Sequence, residues 1–176
     1  STCSIGLPCS LITMLESTPA AVQPGDTIYL RAGNHNIGRY CNACTPWRQT
    51  SIAGIDGLPI TITSYPGEWA VVNGGILFLA ASHDVVVKGL EVAAFPYSTY
   101  PSPLLRVSAQ SGPFPTDILY PPGIMFYGDR MKLLDCVIRD GGEGAESWDA
   151  GVDNVIEGNL IYGQGWLGSD RGHGHS

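Results

Sequence analysis

Glu143-Gly144-Ala145-Glu146-Ser147-Trp148-Asp149-Ala150-Gly151-Val152-Asp153-Asn154-Val155-Ile156-Glu157-Gly158-Asn159-Leu160-Ile161-Tyr162-Gly163-Gln164-Gly165 reads as one complete turn of a repeating coil of short strands. Its second half holds two short apolar runs hinged at Gly158-Asn159 and closed by Gly163 and Gly165. Short β-prone runs broken by Gly, Asn and Asp are strand and turn signals, and no helical period survives such breaks.

Two upstream segments align on the same hinge. Val85-Val86-Val87 precedes Lys88-Gly89 and Leu90-Glu91-Val92, while Met131 to Leu134 precedes Asp135 and Cys136-Val137-Ile138. Gly158 lies 23 residues after Asp135, which lies 46 after Gly89. The doubled spacing is accounted for by an insertion from Ala94 to Pro122. A further run opened by glycine stands near each hinge: Gly75 to Leu79, Gly123 to Tyr127, Gly144 to Trp148. Three short strands per repeat predict a solenoid, in which no repeat buries its inner face alone.

The 176 residues fit one domain with apolar residues enough for a core. With 23 glycines and 13 prolines the composition approaches that of disordered chains, but the apolar runs are too regular for disorder. A net charge of −7 with only nine Lys and Arg argues against nucleic acid or an anionic membrane as partner. No run approaches the ~20 apolar residues of a membrane span. The chain starts at Ser1 without a signal-peptide pattern, which reads as a processed mature form or an excised piece.

Of five cysteines, Cys3, Cys9, Cys41 and Cys44 suit two bridges in an oxidised, secreted protein, with three pairings open. Cys136 reads as a buried apolar residue. The C-x-x-C at Cys41 and Cys44 also fits a zinc or redox pair, but neither a second C-x-x-C nor a βαβ context accompanies it.

Along the chain, Cys9 to Val22 contains the one plausible helix, capped by Ser10, with Leu11, Ile12, Met14 and Leu15 on its apolar side and Pro19 limiting it. Thr27 to Leu30 follows as a strand. The helix, then Ala21 to Gly33 (AVQPGDTIYLRAG), Gly57 to Glu68 (GLPITITSYPGE) and Ser82 to Val92 (SHDVVVKGLEV), resembles the opening of right-handed parallel β-helix proteins of the pectate-lyase-like superfamily. It is especially similar to the amino-terminal part of the chondroitinase B and alginate lyase group.

That resemblance implies an all-β, right-handed, single-stranded parallel β-helix with an amino-terminal capping helix, ending mid-solenoid. It divides the chain into a cap and first strand (1–33), a Cys-containing loop (34–59), first coils (60–93), the insertion (94–122), two regular coils (123–165) and the start of another (166–176). Asn34 to Ala53 becomes a surface loop, and residues 70–79 a strand region with a turn at Asn73-Gly74-Gly75. It also implies a secreted, carbohydrate-active protein of polysaccharide-lyase type, of which this is the amino-terminal portion. Such lyases abstract a proton beside a uronate carboxylate with a Lys or Arg base, often with Ca²⁺. In the group it resembles those residues lie in later coils, so no catalytic residue is carried over.

The residues themselves offer further candidates. Tyr97 and Tyr100 in the Pro- and aromatic-rich insertion, with Trp148, Arg139 and Arg171, are candidate polysaccharide contacts; the aromatics equally suit covering apolar surface. Glu146, Asp149, Asp153, His173 and His175 are candidate metal ligands, Ca²⁺ among the ions, although turn acids commonly cap strands. Glu146 and Trp148 share strand parity and so a face. The alternative function is a non-catalytic extracellular structural or glycan-binding module that self-associates end to end through its open coil, where unpaired edges offer a template. A carboxy-terminal remainder of the same protein is the other candidate partner for that edge.

Overall fold

The computed structural model describes residues 3, 4, 6–16, 22–37, 47–93, 122–141, 143–148, 151–164, 166, 167, 172 and 173. Among the described residues one short helix, α1 (Leu11–Glu16), precedes the strands β1 (Thr27–Leu30), β2 (Gly33–Asn36), β3 (Trp47–Thr50), β4 (Ile60–Ser64), β5 (Ala70–Asn73), β6 (Gly75–Phe78), β7 (Val85–Lys88), β8 (Glu91–Ala93), β9 (Pro122–Phe126), β10 (Lys132–Leu134), β11 (Val137–Arg139), β12 (Glu143–Ser147), β13 (Val155–Glu157), β14 (Leu160–Tyr162), β15 (Trp166–Leu167) and β16 (Gly172–His173).

Every third strand stacks on the last. Sheet 1 runs β1-β4-β7-β10-β13, sheet 2 β2-β5-β8-β11-β14 and sheet 3 β3-β6-β9-β12, all parallel. The chain therefore visits three sheets in turn and returns one strand further along each, an arrangement consistent with a parallel β-helix. Lys132 pairs with Val86 on one side and Val155 on the other, so the insertion is absorbed between β8 and β9 without a missing strand.

The core consists of side-chain columns running across the strands. Ile28, Ile62, Val87, Leu133 and Ile156 form one; Val72, Val92, Ile138 and Ile161 a second; Phe78 and Phe126, with ring centroids 5.6 Å apart, lie in a third. Alternation puts every second residue of a strand into these columns, which is why Val87, Leu133 and Ile138 are fully buried while their immediate strand neighbours are not. Cys136 is buried beside them as an unpaired thiol, and burial pushes its pKa up to about 11.

The corners obey a rule that the hinge alignment only half reveals. Gly89, Asp135 and Gly158 all have positive φ, as do Asp84, Arg130 and Asp153 at the next corner, and Asp140 and Gly163 at the third. Gly and Asp suit this left-handed conformation. In the last coil an amide follows each such residue. Asn154 Oδ1 accepts from Met131 N at 2.8 Å, Asn159 Oδ1 from Cys136 N at 2.8 Å, and Gln164 Oε1 from Gly141 N at 2.9 Å. Each amide NH₂ donates in turn to a carbonyl of the coil before, those of Gly128, Leu133 and Ile138.

Two expectations are corrected, one at each end of the repeat. Asn34 to Ala53 is not simply a loop: Gly33–Asn36 and Trp47–Thr50 are the sheet 2 and sheet 3 strands of the first coil. The pattern of β3 is polar because it faces α1. Arg48, buried, donates from Nε to Ile37 O at 2.6 Å and pairs with Glu16, and Thr50 Oγ1 donates to Leu15 O at 2.8 Å. Residues 70–79 are strands with a turn as expected, β5 and β6 lying in different sheets and the chain turning at Gly74 (φ 120°). The expected helix is present over Leu11–Glu16, with Ser10 Oγ accepting from Thr13 N at 3.1 Å as its cap. Among the described residues beyond β14, β15 and β16 pair antiparallel with each other where the sequence predicts the start of a further coil.

A Cys3–Cys9 disulfide is present, while Cys41 and Cys44 lie outside the described residues. No described helix is long and apolar enough to cross a membrane.

Candidate functional site

The corner joining sheet 3 to sheet 1 gathers charge. Ala53, His83 and Asp129 occupy successive levels of this corner, bridged in parallel. Beside them Asp84 is buried, yet accepts hydrogen bonds from Arg130 Nε at 2.9 Å, from Arg130 Nη2 at 2.7 Å and pairs with His83 Nδ1 at 2.9 Å. The Arg130 bonds hold the Asp84 carboxyl at about 2 against the opposing effect of burial, with His83 adding to the same end. The His83 side chain is 40 % exposed, and no partner for its Nε2 is found among the described residues.

Close backbone packing sets this corner. A Cβ on Gly54 would lie 2.5 Å from Asp84 O, and one on Gly128 would overlap Ser82 O. Ser82 to Asp84 is thus held between two glycine-bearing turns, and Ser82 Oγ donates to Thr50 O at 3.2 Å. A groove of about 550 Å³ opens next to it, lined by Leu15, Val22, Thr50, Ile52, Ala53 and Leu79 among others. The imidazole is one level above groove-lining Ala53. An imidazole fixed through Nδ1 by a carboxylate presents Nε2 as a proton acceptor or donor, the base-and-orienter arrangement of acid–base sites.

The residues singled out from the sequence do not gather there. Arg139 is half-buried on the outer side of sheet 2, bound to Glu91 Oε1 at 2.5 Å and Asp140 Oδ2 at 2.7 Å. Glu146 is on β12 opposite Met125, Trp148 beyond it is 59 % exposed, and Asp153 sits at the corner before β13 with φ 58°. His173 is in β16. Tyr97, Tyr100, Asp149, Arg171 and His175 lie outside the described residues. Among the described residues no three His, Cys, Asp or Glu side chains gather to hold a metal ion.

Sequence reading passed over His83, Asp84 and Arg130. The available signal was the hinge alignment itself: Asp84 and Arg130 fall at the same place in their repeats, 46 residues apart, so opposite charges were destined for neighbouring levels of one corner.

No protein-family model matches the sequence, and no curated protein matches it. Among solved structures it is similar to a rhamnogalacturonan lyase, with 12% identity and a TM-score of 0.55 over 90% of this chain and 48% of that one. The chain thus spans about half the length of that enzyme. At this identity the likeness speaks for the fold.

Proposed function

We propose that the chain belongs to a secreted, carbohydrate-active β-helix protein of polysaccharide-lyase type and supplies its amino-terminal portion, with the three sheets closed into one right-handed solenoid across residues 1–176. The observation that carries this reading is the likeness in fold to a rhamnogalacturonan lyase over 90% of the chain. Closeness to the chondroitinase B and alginate lyase group is part of the same proposal, resting on the sequence resemblance. Tyr97, Tyr100, Trp148, Arg139 and Arg171 are its proposed polysaccharide contacts, and Glu146, Asp149, Asp153, His173 and His175 its proposed Ca²⁺ donors.

Within this reading His83 is the described residue best suited to proton transfer. Nε2 takes the proton from the carbon beside a uronate carboxylate, the neighbouring C–O bond breaks to leave a carbon–carbon double bond, and the departing oxygen takes a proton from water. Incubation with rhamnogalacturonan, pectate, alginate and chondroitin, followed by ultraviolet absorbance of the unsaturated product, is the test. Activity lost in His83→Asn by about a hundredfold or more supports the role; unchanged activity removes His83, and no product from the full-length protein removes the lyase reading.

The alternative is a non-catalytic module that associates through its end. β12, β13 and β14 are outermost in their sheets among the described residues, and Ile156 and Leu160 are 42 % and 59 % exposed beside them. The opposite end is covered by α1, so pairing of two bare ends fits better than a head-to-tail filament. Sedimentation velocity across a concentration series decides: a concentration-independent monomer removes this alternative.

A further inference from the structure

The outer face of sheet 2 carries a different arrangement. Val72, Val92 and Ile138 point into the core, so alternation turns Val71, Glu91, Val137, Arg139, Leu160 and Tyr162 outward. Trp69, just before β5, is 45 % exposed and Tyr162 on β14 is 46 % exposed, at opposite sides of the face. Between them Trp69 Nε1 donates to Glu91 Oε2 at 2.9 Å, and Arg139 Nε donates to Glu91 Oε1 at 2.5 Å. Arg139 Nη1 completes the line by donating to Asp140 Oδ2 at 2.7 Å.

Three properties of this line bear on what it could hold. First, the Trp69 ring is anchored through its N–H, so its apolar face is fixed before any partner arrives, and rings fixed in advance lose little entropy on binding. Second, Trp69 and Tyr162 are separated by three strand steps at about 4.8 Å each and by four residues along the strand at about 3.3 Å each, roughly 20 Å in all, which suits an extended ligand more than a compact one. Third, the polar groups between them are two carboxylates and one guanidinium. Their sum is negative, which opposes a polyanion, whereas a carboxylate held by one bond at each oxygen still has acceptor capacity for hydroxyl donors. Aromatic faces at both ends of a hydroxyl-accepting, mildly acidic strip fit a neutral, hydroxyl-rich chain.

We propose that the outer face of sheet 2, from Trp69 through Glu91 and Arg139 to Tyr162, is a binding track for a neutral oligosaccharide, separate from the His83 corner. The proposal rests on the carbohydrate-active reading given above and adds a subsite and a ligand class to it. Its role is to hold an uncharged stretch of a polysaccharide while acidic residues are handled elsewhere.

Titration of the whole chain with cellohexaose and, separately, with a galacturonate hexamer, followed by amide and indole NMR shifts, tests it. Expected is saturable binding of cellohexaose that moves the Trp69 indole N–H, with Kd raised about tenfold in both Trp69→Ala and Tyr162→Ala. Trp69→Phe, which keeps a ring, should recover most of the affinity and guards against a folding defect in the alanine variant. Unchanged Kd in the folded alanine variants overturns the track, as does binding of the galacturonate hexamer alone. If the wild type releases unsaturated product yet ignores cellohexaose, the track falls while the carbohydrate-active reading stands. If it neither binds a saccharide nor releases product, both fall.

Discussion

Asp84 concentrates burial, charge and backbone geometry in one residue. Its side chain is 9 % exposed and its charge would be costly there alone, but the two-pronged Arg130 contact offsets that cost. Arg130 itself holds φ at 51°, a conformation that Gly and Asp adopt readily at the equivalent places and a long side chain does not. Its backbone N–H is bonded to Val152 O at 2.8 Å, and its side chain is held by the ion pair. Because the folded Asp84 value of about 2 lies below the ordinary carboxylate value of about 3.9, its contribution is complete above pH ~4 and is lost as pH falls through about 2. Asp84→Asn should therefore lower stability by about 2 kcal/mol at pH 7, and the gap to wild type should close near pH 2. Urea unfolding at the two pH values checks this; a gap that persists at pH 2 places the effect elsewhere. The positions of Asp84 and Arg130 in the repeat were legible in the sequence. That the two side chains meet was not, because it depends on both backbones turning left-handed at the same corner.

At the level of elements, the stretch from Asp153 to Gln164 repeats every five residues: a left-handed residue, an amide, then a strand. Strand periodicity alone explains the apolar runs, and it made the three-strand coil readable. The amides look like ordinary turn residues in sequence, since Asn and Gln are common in turns for several reasons. Only the stacked coil reveals that each satisfies an N–H and a carbonyl that the corner leaves without a strand partner. Asn159→Ala removes both partners of Cys136 N and Leu133 O in a part-buried setting, so a loss of about 2 kcal/mol is expected. Asn159→Asp keeps the acceptor and loses the donor, and should fall between wild type and alanine. Thermal unfolding of the two variants checks the order; equal stability of Asn159→Ala and wild type would show that water replaces the amide freely. The strands β2 and β3 escaped the sequence reading for the converse reason. Facing a helix, β3 carries Arg48 and Thr50 where the next coil carries Ile76 and Phe78, and β2 is the polar run Gly33–Asn36, so the apolar signal is missing where the cap begins.

Across the whole molecule the two ends differ. At one, α1 closes the columns with Leu11 and Leu15, both buried. At the other, Ile156 continues the column of Leu133 and Val87, but it is 42 % exposed where Leu133 is 0 %. The same inward position thus has two environments, separated by one coil. In an isolated chain Leu133→Ala should cost about 3 kcal/mol, since it opens a cavity between packed levels, whereas Ile156→Ala should cost less than about 1 kcal/mol because solvent fills the space. Chemical denaturation measured at low and high protein concentration separates the cases. A small Ile156 effect at every concentration means the end stays bare. An effect that grows with concentration means a second copy covers it, because stability then draws on association. A cost equal to that of Leu133→Ala at all concentrations requires cover from within the same polypeptide, and the columns of the three sheets dictate its form: another level of parallel strands, placing an apolar residue over Ile156 and over Ile161.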